Sequence, residues 1–137
     1  MELETRLLVR TRAGNRCEYC LLPQDGCSLT HHIEHIVPRQ HEGSDDVGNL
    51  ALACHRCNLR KGPNLTGIDP ITGELVRLFD PRRDRWSDHF HFQEPVIQGV
   101  TAVGRTTVRL LAMNDTRRIE RRELLAQIPR ESGGTPA

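Results

Sequence analysis

Long apolar runs are missing from this chain: no stretch approaches the ~20 residues needed to cross a bilayer. The opening Met1-Glu2-Leu3-Glu4 is acidic and has neither the basic nor the apolar region of a signal peptide. These absences lead to the expectation of a cytoplasmic protein with no membrane partner. Aromatics are scarce at 4%, and hydrophobic residues make up only 36%, so a core of apolar side chains alone would be thin. A chain of 137 residues suits one domain, and small domains often recruit a metal or disulfides to hold together. Charge of one sign is also missing: the net is +1, which gives no argument for a nucleic-acid partner. Lysine is nearly absent, with Lys61 the only one among 19 basic residues. Arginine forks suit phosphate oxygens better than ammonium groups do, and biased codon usage would give the same excess.

Cysteine is not scarce. In a reducing compartment five cysteines read as metal ligands more readily than as disulfides. Cys17 and Cys20, then Cys54 and Cys57, form two CxxC pairs, each able to aim two thiolates at one ion from a single tight turn. Together they make the closed Cys₄ set of structural zinc, with a redox pair or incidental thiols as the bland alternatives. The 33 residues between the pairs leave room for a folded motif. Cys27 is left over as a small buried side chain or a free thiol.

Along the chain, Leu3, Leu7 and Leu8 at helical spacing predict a helix from about Glu4 to Arg12. Leu29–Val37 favours extended chain, residues 40–48 a polar loop, Leu50–Ala53 a lead into the second knuckle, and Asn58–Lys61 a short helix stopped by Gly62-Pro63. Further on, Asp69–Gly73 predicts a hairpin turn. Trp86 and His89-Phe90-His91-Phe92 alternate like a strand, and Val96–Val100 suggests another. Helices are expected over about 101–113 and 117–128. This organisation suggests a core at 1–66, an α/β extension at 67–129 packed on it as one structural unit, and a disordered tail at 130–137.

Between the knuckles lies His31-His32-Ile33-Glu34-His35-Ile36-Val37-Pro38, then Asn49-Leu50, then Asn58 after the last cysteine. Oxygen ligands from Glu34 and Asn58 suit Mg²⁺ or Mn²⁺, and imidazole admits softer transition metals such as Ni²⁺. His35 is placed to act as a general base across a metal-polarised phosphate.

At these residues the chain resembles the HNH endonuclease family. The shared pattern is CxxC, an acid-His pair followed by proline, a glycine-containing loop, Asn-Leu, and CxxCN with a basic residue after it, all between Arg16 and Gly62. The resemblance implies an α+β fold with a ββα-metal motif stapled by a Cys₄ zinc, an N-terminal helix, and a C-terminal hairpin plus helices. By position it implies Glu34 and Asn58 as ligands of a catalytic divalent ion, His35 as general base, and Asn49 as a brace for the loop. Some relatives place a metal-binding His where Gly62 stands here; water or His32, on the same side of the strand as Glu34, would fill that position. The implied activity is hydrolysis of DNA, expected double-stranded, by nicking or full cutting, to 5′-phosphate and 3′-hydroxyl ends. An inactive zinc-dependent nucleic-acid-binding module and a nuclease acting mainly on RNA remain alternatives. His31 reads as structural, and His41 and His55 as solvent-exposed.

Arg56, Arg60 and Lys61 flank the short helix as natural phosphate contacts. Arg82, Arg83 and Arg85, beside Trp86, form a second basic group diluted by Asp80, Asp84 and Asp88. This group could bind nucleic acid or form a surface ion-pair network. Arg117, Arg118, Arg121 and Arg122 suggest a stripe along one helix, either a DNA-backbone surface or a solvated face. Oligomeric state, cleavage preference and the role of the C-terminal region leave no mark in the sequence.

Overall fold

Leu3–Arg12 forms helix α1, but the residue that anchors it is Val9, fully buried against Leu50 and Leu52. Leu3, Leu7 and Leu8, the apolar face expected from spacing, are 70%, 54% and 46% exposed. What orients α1 is polar: Arg10 donates to the His31 carbonyl at 3.0 Å, and Arg12 to the carbonyls of Val47 and Leu50 at 3.0 and 2.8 Å. The computed structural model describes residues 1–128, so the tail expected at 130–137 lies outside the described residues.

After the first cysteine pair, β1 (His32–His35) and β2 (Leu50–Ala53) pair antiparallel, with His32 opposite Ala53 and His35 opposite Leu50. All four β2 residues are buried. Leu50 and Leu52 turn toward Val9, while Ala51 and Ala53 join the cluster around the cysteines. Alanine there leaves room for α2 (His55–Lys61), which packs on both strands and ends at Gly62 with φ +49°. This is the ββα arrangement that the resemblance implied.

A hairpin follows from β3 (Thr66–Ile68) and β4 (Leu75–Arg77). Its turn is organised by Asp69, whose carboxylate accepts from the Ile71 amide and from Arg105. Trp86–His89 forms a short helix, α3, and not the start of a strand. Its Trp86 ring packs on Phe90 at 5.0 Å while Nε1 donates to the Tyr19 carbonyl, 67 residues away, a contact that alternation cannot announce. β5 (Phe90–Gln93) and β6 (Val96–Gly99) form the third two-stranded sheet. α4 (Ala102–Leu110) is capped by Thr101 and α5 (Thr116–Gln127) by Asp115. The fold is mixed α+β with small antiparallel sheets. Its larger apolar cluster runs from Cys17, Tyr19 and Ala51 through Phe79 and Phe90 to Leu111 and Met113, so it draws on both sides of residue 66.

Candidate active site

The four cysteines meet in the interior. One sulfur from each of Cys17, Cys20, Cys54 and Cys57 lies within 4.8 Å of the others, and all four residues are buried. Cys20 Sγ and Cys54 Sγ are 3.7 Å apart, close to the edge of about 3.8 Å for a tetrahedron with Zn–S bonds near 2.3 Å. The amides of Cys20 and Cys57 each donate to the first sulfur of their own pair at 3.4 Å, so each knuckle turns around its ligand. Burial raises the Cys17 and Cys57 thiols well above their usual range, while hydrogen bonding from Cys17 lowers Cys20 and Cys54. Sulfurs so close need a cation among them to be thiolates together. The donor set fits structural zinc. Cys27 stands apart, half-buried, and takes no part in the cluster.

The zinc knuckles carry the rest of the site. Tyr19, between the first two cysteines, is buried and donates its hydroxyl to Glu34 Oε1 in a very short hydrogen bond. Glu34 Oε2 faces Lys61 Nζ at 3.3 Å. Glu34 is itself 6% exposed, and burial raises its pKa against the opposing pull of Lys61 and Tyr19. Each carboxylate oxygen thus bears one partner and keeps a lone pair. Lys61 also donates to the Ile36 carbonyl at 2.9 Å and, more weakly, toward that of His35. At 2% exposure it holds the end of β1 in place, so the phosphate contact expected of it is engaged inside the protein.

His35 points away from that carboxylate. Its Nε2 meets Asp45 Oδ1 at 2.7 Å, and Asp45 also receives Arg39 at 3.0 Å. The His35 hydrogen bond first of all, then Arg39, lowers the Asp45 pKa. Asn49 fixes the loop that carries Asp45: its side-chain oxygen accepts from the Val37 amide at 2.9 Å, and its NH₂ donates to the carbonyls of Val37 and Ser44 at 3.0 and 2.8 Å. A groove of about 300 Å³ runs beside this loop, lined in part by Val37, Lys61, Arg77, Phe79 and Arg83.

On the other face of β1, His32 Nε2 lies 3.3 Å from His55 Nδ1 at the start of α2, and both rings are exposed. Asn58 follows one turn along the same helix, half-buried. His31 is buried, with Nε2 2.9 Å from the Leu22 carbonyl. His41 is exposed.

The basic residues divide. Arg60, Arg83 and Arg85 are exposed; Arg56 pairs with Asp115 at 3.3 Å. Arg82 is drawn into a tight ion pair with Glu18, whose other oxygen accepts from the Leu52 amide. The expected arginine stripe on α5 is broken in the same way. Arg118 is 7% exposed and donates to Cys57 Sγ at 2.9 Å and the Leu111 carbonyl at 2.6 Å. Arg122 donates to the carbonyls of Pro95 and Met113. Sequence reasoning did not single out Tyr19 or Asp45, and it placed Arg118 in a surface stripe; His55 is exposed, as expected, and what the structure adds is the His32 ring beside it. Tyr19 and His55 each had a local signal, through a place inside a cysteine pair; Asp45 and Arg118 depend on partners 10 and 61 residues away.

Residues 17–64 match the family model described as HNH endonuclease, a span that takes in both knuckles, the β1–β2 hairpin and α2. Among curated proteins the chain is similar to the Septu protein PtuB of Bacillus thuringiensis, at 28% identity over 116 residues. That alignment covers 83% of this chain but 42% of PtuB, so the chain spans less than half the length of that relative. No solved structure matches it significantly. No helix among the described residues is long and apolar enough to cross a membrane.

Proposed function

We propose that the protein is an HNH-type endonuclease that hydrolyses phosphodiester bonds in DNA, leaving 5′-phosphate and 3′-hydroxyl ends. The observation that carries this reading is His35. It sits at the end of β1 next to Glu34, its ring is tied to Asp45, and the Asp45 loop is held by Asn49. A carboxylate on Nε2 fixes the proton there and leaves Nδ1 as the basic nitrogen. His35 then takes a proton from water, and Asp45 stabilises the imidazolium that results.

Glu34, Asn58 and His32 would hold the catalytic divalent ion between β1 and α2, a mixed oxygen and imidazole set that suits Mg²⁺, Mn²⁺ or Ni²⁺. When bound, such an ion supplies charge neutralisation at the phosphate and the leaving oxygen. Arg83, which lines the groove, and the exposed Arg60 and Arg85 are the phosphate contacts we assign. The extension from residue 67 serves as part of the same unit, closing one side of the zinc site through Arg118.

The test is a metal-by-substrate cleavage panel with end mapping, on supercoiled, linear and single-stranded DNA and on RNA. Cleavage of DNA in Mg²⁺ or Mn²⁺ that disappears in His35→Ala, with zinc content and melting unchanged, is the expected result. Zinc-loaded, folded protein that cuts no nucleic acid with any ion refutes it. Preferential cleavage of RNA would keep the chemistry and replace the substrate.

A further inference from the structure

Glu34 is buried with both oxygens already engaged, while two imidazoles stand open to solvent beside it. His32 and Glu34 are two residues apart on one face of β1, and that face looks onto α2, because His32 meets His55 and Glu34 meets Lys61. The His32 Nε2 to His55 Nδ1 separation of 3.3 Å matches the bite of two nitrogens on one tetrahedral ion, which is about 3.3–3.4 Å for M–N bonds of about 2.0–2.1 Å. Among the described residues neither ring nitrogen has another partner, and no cationic side chain pairs with either ring. Asn58, three residues beyond His55, lies on the same helix face.

We propose that His32 Nε2 and His55 Nδ1 chelate a divalent transition-metal ion at the mouth of the β1–α2 cleft. Imidazole pairs favour Mn²⁺, Co²⁺, Ni²⁺ and Zn²⁺ over Mg²⁺, so this centre selects by ligand chemistry against the commoner hard ion. The inference deepens the nuclease reading and rests on it for the ion's role, though not for its binding.

Untagged, zinc-loaded full chain is titrated calorimetrically with Ni²⁺ and separately with Mg²⁺, without nucleic acid, and zinc content is measured before and after. The expected result is one Ni²⁺ per chain beyond the zinc, weakened at least tenfold in both His32→Ala and His55→Ala and unchanged in His41→Ala. Mg²⁺ at the same concentration gives no comparable binding. Circular dichroism and retained zinc show that the variants fold; His55→Gln, which keeps a polar side chain, serves if the alanine does not. Wild-type Ni²⁺ affinity in the folded His55 variant overturns the proposal, as does binding lost only in Glu34→Gln. Ni²⁺ bound through both histidines with no cleavage of any substrate upholds the site and refutes the nuclease reading. Mg²⁺-supported cleavage with no imidazole-dependent Ni²⁺ binding does the reverse.

Discussion

Arg118→Met removes a guanidinium while keeping most of its apolar stem, and the structure allows the consequence to be worked out. Arg118 is 7% exposed and donates to Cys57 Sγ at 2.9 Å and to the Leu111 carbonyl at 2.6 Å, with longer contacts to Cys54 Sγ and the Ala112 carbonyl. Burial works against its charge, but the thiolates of Cys57 and Cys20 outweigh that and raise its pKa above the usual value. Four thiolates around Zn²⁺ carry two net negative charges, and Arg118 lies directly against them. Removing one partner of a buried charge pair costs about 3–5 kcal/mol. At the lower end this is roughly a hundredfold in zinc affinity, and about 10 °C in melting temperature for a domain of this size. Competition with a chromophoric chelator measures the first and calorimetry the second. Arg118→Lys, which keeps the charge but loses the fork, should fall between wild type and Arg118→Met. If Arg118→Met holds zinc within threefold of wild type, the assignment of this arginine to the thiolates is wrong. A loss of nucleic-acid affinity alone would point back to a backbone contact.

Three further perturbations follow from the same geometry. Asn49→Ala removes three hydrogen bonds to the loop backbone, together worth about 2–4 kcal/mol; faster amide exchange at Val37 with a smaller change in global melting is expected, and unchanged exchange would contradict the bracing role. Gly104→Ala places a Cβ 2.0 Å from the His89 carbonyl oxygen, a backbone clash that should cost on the order of 3 kcal/mol in a urea melt. Gly48→Ala, with nothing within 4 Å, should be tolerated and serves as its control. Asp69, bonded first by Arg105 and then by the Ile71 amide, and Asp84, bonded first by Arg77, both have lowered pKa values. A depressed carboxylate contributes stability that is present above its unfolded value, near 3.9, and lost as pH falls through the folded value. The difference in urea midpoint between wild type and Arg105→Met at matched pH, which isolates Asp69 from proton competition at the cysteines, should therefore hold down to about pH 4 and shrink below it.

The sequence by itself determined what depends on short spacings. Two residues between cysteines are enough for a knuckle, and four such thiols leave few uses other than a metal. An acid-His pair before proline, Asn-Leu, and Asn58 after the last cysteine were sufficient to locate β1, β2 and α2. The two C-terminal helices, expected over about 101–113 and 117–128, were legible in the sequence, and Thr101 and Asp115 cap them in the structure. Partnership was not legible, because the field and solvation of a charged side chain are set by whatever segment folds against it. Lys61, Arg82 and Arg118 all resembled phosphate contacts in sequence. Each is turned inward by a group 27 to 64 residues away: Glu34, Glu18 and the cysteine cluster. Leu7 and Leu8 had the apolar spacing of a buried face, but β2 meets α1 at Val9. His55 is exposed, as its sequence position suggested, and it gains His32 as a neighbour only when α2 packs against β1. Spacing along one element is a local property of the chain. The state of a charge or an imidazole is decided only when distant segments remove water from around it and supply, or fail to supply, a partner.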